Sequence, residues 1–142
     1  MHKHSETRFL PYTPQQLYAL VADIERYPDF LPWCAGARIL ERGPDFVKAD
    51  LIVGYKAIRE KFTSLVRLEA GRRIDVTYVS GPFRQMQNEW RFEPAPGGCN
   101  LSFALEFSFK NAMLSSLLEL FFEQALKRMA AAFEARARAL YG

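Results

Sequence analysis

The stretch Leu101–Phe109, LSFALEFSF, decides the fold together with residues 111–141 that follow it. Apolar side chains alternate with small or polar ones in this stretch, which is typical of a β-strand with one buried and one solvent-facing side. Residues 111–141 contain no Gly or Pro and many helix formers, which predicts a long helix. A one-sided strand followed by a long helix predicts a two-layer domain, with the helix lying across the sheet.

The predicted helix is amphipathic along its length. Either Asn111 or the box Ser116-x-x-Glu119 could cap its start. At 100° per residue, one side collects apolar residues: Leu114, Leu117, Leu118, Phe121, Phe122, Ala125, Met129 and Ala132. The opposite side carries Glu119, Glu123, Lys127, Glu134 and Arg138. The apolar side therefore needs a partner, and the buried side of the sheet is the surface long enough to supply one.

The rest of the chain supplies the sheet. From Ala37 a period of two is interrupted by turn signals at 43–45, 54–55, 71, 81–82 and 94–98, which predicts six strands. Residues 3–10 predict a further strand, and Thr13-Pro14-x-Gln16 predicts a capped helix that ends before Pro28. The prediction is one α+β domain over residues 1–142, with a curved antiparallel sheet of about six to seven strands around a long C-terminal helix.

The composition indicates a globular protein that is unusually rich in aromatic residues. The 142 residues are 49% apolar and 25% charged, with a formal net charge of +3. Twelve Phe, six Tyr and two Trp exceed the needs of a small core. These aromatic residues either pack a solid core or surround a cavity. The mild positive charge favours an anionic membrane surface or RNA over DNA, but no block of like charge supports either.

The residues of common catalytic and metal sites are missing from the pattern. Both histidines, His2 and His4, lie at the extreme N-terminus, and Cys34 and Cys99 form no metal-binding or disulfide spacing. No glycine-rich phosphate loop is present, and neither a signal peptide nor a membrane-spanning stretch is found. We therefore expect a cytoplasmic protein that is not an enzyme and needs no metal or cofactor.

Glu60 is the one acidic side chain that the pattern places inside. It shares the alternation of Ile58, Phe62 and Val66, and a buried carboxylate needs a partner. The candidate partners are Arg84, Asn88, Arg128 and Arg136. Either Glu60 forms an internal ion pair or rim contact, or it orients a ligand within a cavity.

Four segments stand out as motifs: Tyr27–Cys34 (YPDFLPWC), Glu60–Ser64 (EKFTS), Gly81-Pro82-Phe83 with Trp90-x-Phe92, and Ala132–Ala137 (AFEARA). They are spread over nearly the whole chain, from residue 27 to residue 137, and together they resemble the coenzyme Q-binding START-domain family, whose bacterial members include a ribosome association toxin. Asn88 and Leu65 depart from the family pattern, in which a small and a basic residue are common at these positions.

The resemblance implies a helix-grip (START/Bet v 1-like) fold and a hydrophobic tunnel that binds ubiquinone or a related polyisoprenoid lipid. It also implies a carrier that supports respiratory electron transport. The side chains that we expect to contact such a ligand are Phe30, Trp33, Phe62, Ser64, Tyr78, Arg84, Met86, Asn88, Trp90, Phe92, Phe103, Phe107, Leu117, Phe121 and Met129. A quinone offers only acceptors, so Arg84, Asn88 and Ser64 are the expected donors to its head group.

Two further expectations concern the surface. The loop Phe30-Leu31-Pro32-Trp33 is either the tunnel entrance, making transient contact with the inner membrane, or ordinary packing. Leu120 adds an apolar side chain on the polar side of the helix. The alternative functions are binding to the large ribosomal subunit, which blocks subunit association, and a cyclase-type activity based on a carboxylate such as Glu60.

Overall fold

A computed structural model describes residues 2–142 and shows a sheet covered on one side by helices. The strands are β1 (His2–Leu10), β2 (Cys34–Arg42), β3 (Phe46–Tyr55), β4 (Ile58–Glu69), β5 (Arg73–Ser80), β6 (Phe83–Ala95) and β7 (Gly98–Phe109). All neighbours pair antiparallel, in the order β1-β7-β6-β5-β4-β3-β2. This is the predicted α+β architecture.

The segment between β1 and β2 begins with the predicted helix. Helix α1 (Pro14–Ala22) is capped by Thr13, whose hydroxyl accepts the Gln16 N–H at 3.1 Å, while the Gln16 side chain accepts the Thr13 N–H at 2.9 Å. The capping box is thus confirmed. The α-helix ends earlier than predicted, and a 3₁₀ helix (Ile24–Asp29) follows and contains Pro28.

The predicted C-terminal helix is two helices. They are α2 (Ala112–Lys127) and α3 (Met129–Tyr141), and Arg128 between them has φ −103° and ψ 2°. The Arg128 N–H is shared between the Gln124 and Ala125 carbonyls at 3.2 Å each, a bifurcated hydrogen bond of the kind that is common where a helix ends. Asn111, not Ser116, caps α2, because its side chain accepts the Met113 N–H at 2.7 Å.

The two C-terminal helices face the buried side of the sheet through aromatic contacts. Phe122 of α2 lies 5.8 Å from Phe107 of β7, and Phe133 of α3 lies 4.9 Å from Trp90 of β6, between ring centroids. The expectation that Leu117 shares this buried side is wrong, since its side chain is 51% exposed. Leu117 lies 100° around the helix from the fully buried Leu118, at the margin of the buried arc.

A bulge in β6 overturns the predicted orientation of Arg84. The pairing of β6 with β7 shifts register between Phe83 and Gln85, so the alternation read from Met86 and Trp90 does not extend back to Arg84. Phe83 is buried and Arg84 is exposed. The Tyr78 hydroxyl accepts the Phe83 N–H at 3.0 Å and holds this irregular stretch in place.

The turn predicted at Gly54-Tyr55 lies two residues further on. β3 continues through Tyr55, and Lys56 takes the left-handed backbone conformation with φ 54°. The Arg59 guanidinium donates to the Lys56 and Ile58 carbonyls at 2.7 and 2.8 Å, so a side chain stabilises a turn that lacks Gly or Asn at that position.

Gly98 allows the close approach of β1 to β7. A Cβ at Gly98 would lie 2.1 Å from the Leu10 carbonyl oxygen, whereas a Cβ at Gly97 (φ 81°) would meet nothing within 4 Å. We expect Gly98→Ala to lower the free energy of unfolding by about 3 kcal/mol or more, because backbone must move. Gly97→Ala should lower the free energy of unfolding by only about 1–2 kcal/mol, because an alanine there must adopt the left-handed backbone conformation but meets no neighbour. Urea denaturation of both variants measures the difference, and equal losses would contradict this explanation.

Candidate functional site

A small apolar cavity lies between the sheet and the C-terminal helices. Its volume is about 90 Å³, whereas sites for small organic ligands commonly enclose roughly 300–1,000 Å³. The wall draws on β3 to β7, on α2 and α3, and on the segment that precedes β2. The interior is therefore neither completely filled nor open enough for a large guest as it stands.

Most of the predicted site residues meet at this cavity. The structure places nine of them in its wall, all on inward-facing strand positions, on the segment before β2 or on the buried side of the helices: Trp33, Phe62, Ser64, Met86, Asn88, Trp90, Phe103, Phe107 and Met129. Strand alternation and helical period carry these residues inward.

The other six predicted site residues lie elsewhere. Phe92 is buried against Tyr18 of α1, with ring centroids 5.8 Å apart, and the Tyr78 hydroxyl is engaged by the β6 bulge. Phe30 and Phe121 line a surface groove instead. Arg84 and Leu117 point to solvent for the reasons given above.

The surface groove has a volume of about 390 Å³ and borders the cavity. Leu31, Trp33, Ala125 and Met129 line both spaces, so these four side chains form the partition between them. Gln124 and Arg128 are the polar side chains of the groove, and the rest of its wall is apolar. The groove and the cavity therefore share part of their apolar walls.

The predicted entrance loop is fastened to α3 beside this groove. The Phe30 ring packs 5.1 Å from the Phe133 ring, and the Arg136 guanidinium lies 5.2 Å above Phe30. Arg136 also reaches Asp29 at 3.8 Å. The loop both lines the groove and packs on the helix, so the two alternatives for it are compatible.

Sequence reasoning missed two aromatic residues that frame the cavity. Phe133 contacts Tyr27, Phe30 and Trp90, and Phe83 packs against Phe62. Phe133 follows Met129 by four residues, so helical period could have identified it. Phe83 had no such signal, because it directly follows a turn and precedes the bulge.

The polar groups of the wall differ from the expected donors. Asn88 is engaged within the protein, since its amide donates to the Ala104 carbonyl at 2.9 Å and accepts the Trp90 Nε1–H at 3.0 Å. Ser64 keeps its hydroxyl in the wall and is 1% exposed. The Trp33 Nε1–H is buried, and no acceptor within residues 2–142 lies in hydrogen-bond range. An unpaired buried donor costs about 1–3 kcal/mol, so Trp33 is the unexpected donor at this site.

The wall offers little for acid–base or nucleophilic chemistry. Its described side chains include no Asp, Glu, His, Lys or Arg. Burial raises the pKa of Cys34, behind the wall, to about 11, which leaves the thiol protonated at neutral pH. Burial also raises the pKa of Tyr27, whose hydroxyl donates to the Val21 carbonyl at 2.5 Å. Within residues 2–142, no three His, Cys, Asp or Glu side chains come together as metal ligands.

Within residues 2–142, Glu60 neither forms an ion pair nor lines the cavity, and the predicted rim contact stays a prediction. Its side chain is half-buried on the inward-facing side of β4, opposite Val53, but it is not part of the cavity wall. No ion pair to Glu60 exists among the residues that the structure describes. Its proposed partner Asn88 is bonded elsewhere and Arg136 contacts Asp29.

The chain is similar both to bacterial toxins and to a coenzyme Q-binding protein. It is 37% identical to the ribosome association toxin RatA of Rickettsia prowazekii over 142 residues, covering 97% of each chain. It is 31% identical to the mitochondrial coenzyme Q-binding protein COQ10 homolog B of Xenopus laevis, covering 99% of this chain and 59% of that protein.

The fold is that of the START superfamily. A START superfamily protein from Mycobacterium smegmatis superposes with a TM-score of 0.81 at 23% identity, covering 99% of each chain. Residues 10–134 match the family described as polyketide cyclase/dehydrase and lipid transport. This match spans strands β2 to β7, the cavity wall, all of α2 and the first six residues of α3, and the chain therefore belongs to that family.

Proposed function

We propose that the protein binds ubiquinone or a related polyisoprenoid lipid and carries it in support of respiratory electron transport, without converting it. The observation that carries this proposal is the apolar groove that meets an apolar cavity at Trp33, whose indole N–H lacks an acceptor. A quinone carbonyl is an acceptor, and an isoprenoid chain matches the groove. The name of the coenzyme Q-binding relative supports the same ligand.

Binding of the quinone ring requires the cavity to widen. About 90 Å³ is too small for a substituted ring, and the Trp33 Nε1 atom is covered by its neighbours. Ala125 and Met129 share the partition with Trp33, and movement of this partition joins the cavity to the groove. The same movement exposes the indole N–H to an incoming carbonyl oxygen.

The affinity comes mainly from the tail. Each buried methylene contributes roughly 0.8 kcal/mol, so one five-carbon isoprenoid unit contributes about 3–4 kcal/mol before costs. A hydrogen bond to the head group contributes about 1 kcal/mol. The groove therefore supplies affinity, whereas Trp33 and Ser64 select a head group that accepts hydrogen bonds. With no acid or base in the wall, the bound quinone is held and released unchanged.

Such a carrier works where its ligand resides. The proposed site of action is the cytoplasmic face of the inner membrane, which the protein contacts transiently. No helix within residues 2–142 has the length and apolar character needed to cross a bilayer.

Trp33→Phe tests the donor. The substitution keeps an aromatic ring but removes the N–H, so we expect ubiquinone with two isoprenoid units to bind about 5–10-fold more weakly, since about 1 kcal/mol is lost. A chain-matched isoprenoid hydrocarbon should bind unchanged. Equilibrium dialysis with both ligands gives the ratio.

Trp90→Phe is the matched control for this measurement. Its indole N–H already donates to Asn88 within the protein, so its loss should lower stability without changing the ratio of the two affinities. If both variants shift the ratio equally, Trp33 has no special role in recognising the quinone.

Ala125→Phe tests the path between groove and cavity. Ala125 lines both spaces, and a ring at this position fills the passage. We expect the quinone content of the purified protein to fall at least 5-fold, measured by mass spectrometry of extracted lipid. Ala135→Phe adds the same ring at an exposed position of α3 that lines neither space, and it should retain quinone. Equal quinone in the two purified variants would show that this passage is not used.

Binding to the large ribosomal subunit is the second candidate, because the Rickettsia relative is named a ribosome association toxin. Under the lipid-carrier proposal, equimolar protein leaves the reassociation of purified bacterial subunits unchanged in a sucrose gradient. Accumulation of free subunits would instead support the toxin function. Contacts to RNA phosphates should then weaken steeply between roughly 50 and 200 mM salt, whereas quinone binding should not.

A further inference from the structure

Helix α2 carries a second apolar surface that faces away from the core. Met113, Leu117 and Leu120 are 63%, 51% and 69% exposed, and their spacing of four and three residues places them along one side of the helix. We call these three residues the outer stripe. A row of large apolar side chains exposed to water is unusual on a surface helix and indicates a surface that binds a partner.

The outer stripe is continuous with the groove. Phe121 and Gln124 line the groove and follow Leu120 and Leu117 on the same side of α2. The acidic Glu119 lies on the other side, where it contacts His2 at 2.5 Å and accepts a hydrogen bond from Ser115 at 3.0 Å. Whatever covers the outer stripe therefore also covers the mouth of the groove.

Four cationic side chains that form no ion pair within residues 2–142 lie at this end of the sheet. Lys56 and Arg59 lie at the β3–β4 turn, which reaches α2 through Tyr55, stacked on Phe121 at 4.4 Å. Arg84 and Lys110 lie together at another corner, where the Lys110 N–H donates to the Pro82 carbonyl at 2.9 Å. None of these four cations forms an ion pair with any residue between 2 and 142.

We propose that the outer stripe and these four cations form a docking surface for a bilayer that contains anionic phospholipid. α2 lies at the level of the head groups, with the outer stripe reaching the acyl chains and the cations contacting lipid phosphates. The mouth of the groove then opens onto the membrane. The purpose of this docking, transfer of an isoprenoid lipid, rests on the proposed function, but the docking itself does not.

The combination of charge and apolar side chains favours a membrane over other occupants. RNA would use the cations but would gain nothing from the outer stripe. A two-fold dimer through the stripe would bring Lys56, Arg59, Arg84 and Lys110 toward the same residues of a second copy, and like charges repel. An anionic bilayer satisfies the apolar and the cationic groups at once.

Vesicle sedimentation tests the proposal with the full-length protein and no quinone present. The vesicles are phosphatidylcholine with or without about one-third phosphatidylglycerol. Two double variants, Met113→Gln/Leu120→Gln and Lys56→Gln/Lys110→Gln, should each bind the anionic vesicles about 10-fold or more weakly. For the lysine variant this follows because each cation near such a surface contributes roughly 5-fold. For the other variant it follows because the outer stripe no longer reaches the acyl chains. The unsubstituted protein should bind pure phosphatidylcholine more weakly.

Matched controls remove the same groups elsewhere. Leu40→Gln/Leu140→Gln replaces comparably exposed apolar residues, and Arg38→Gln/Arg67→Gln removes two exposed cations that lie outside ion pairs; both should leave vesicle binding unchanged. Binding that is insensitive to the Met113/Leu120 pair, or lost equally in the controls, would overturn the proposal. So would a concentration-dependent dimer, seen by analytical ultracentrifugation, that the Met113/Leu120 pair abolishes. Quinone binding by dialysis is measured separately, so failure of docking and failure of the lipid function are distinguishable.

Discussion

The packing of two helices on one side of the sheet is the interaction on which the rest of the structure depends. Both helices contact the sheet through aromatic rings, Phe122 of α2 against Phe107 and Phe133 of α3 against Trp90. Between these two contacts the helices present smaller or more flexible side chains, including Ala125 and Met129, and the cavity lies there. The interruption at Arg128 falls between the two contacts, so each helix sets its own contact with the sheet.

Local signals in the sequence predicted the elements well, because the chemistry behind them is local. The Thr13 capping box and the alternation of Leu101–Phe109 depend on residues close in the chain, and so do the two caps, Asn111 and Ser116, between which the sequence did not decide. The bulge near Phe83 and the interruption at Arg128 had no such signal. Neither the bulge at residues 83–85 nor Arg128 itself contains the Gly or Pro that usually marks such a change.

In the candidate site, too, the apolar positions were predictable from local signals and the polar contacts were not. Alternation and helical period could place apolar side chains on the inward-facing side, but hydrogen-bond partners depend on how the folded elements meet. Asn88 pointed inward as expected, yet its amide is taken by Ala104 and Trp90. Trp33 was expected only as an apolar wall, and its unpaired N–H becomes evident only when every neighbouring acceptor is known. Polar specificity was therefore the less predictable part.

The empty cavity and the unpaired Trp33 donor each destabilise the protein only modestly, and a ligand would remove part of this cost. A modest cost suits a carrier. An apolar void costs roughly 24 cal/mol per Å³, so the cavity of about 90 Å³ costs about 2 kcal/mol in the empty protein. The unpaired Trp33 donor adds about 1–3 kcal/mol. A quinone recovers part of both costs, but it must first displace the partition and leave a membrane where its tail is equally well solvated. The head-group contacts and the relief of these costs thus set the free-energy difference between quinone in the protein and quinone in the membrane. Because this difference is small, both loading and release can occur.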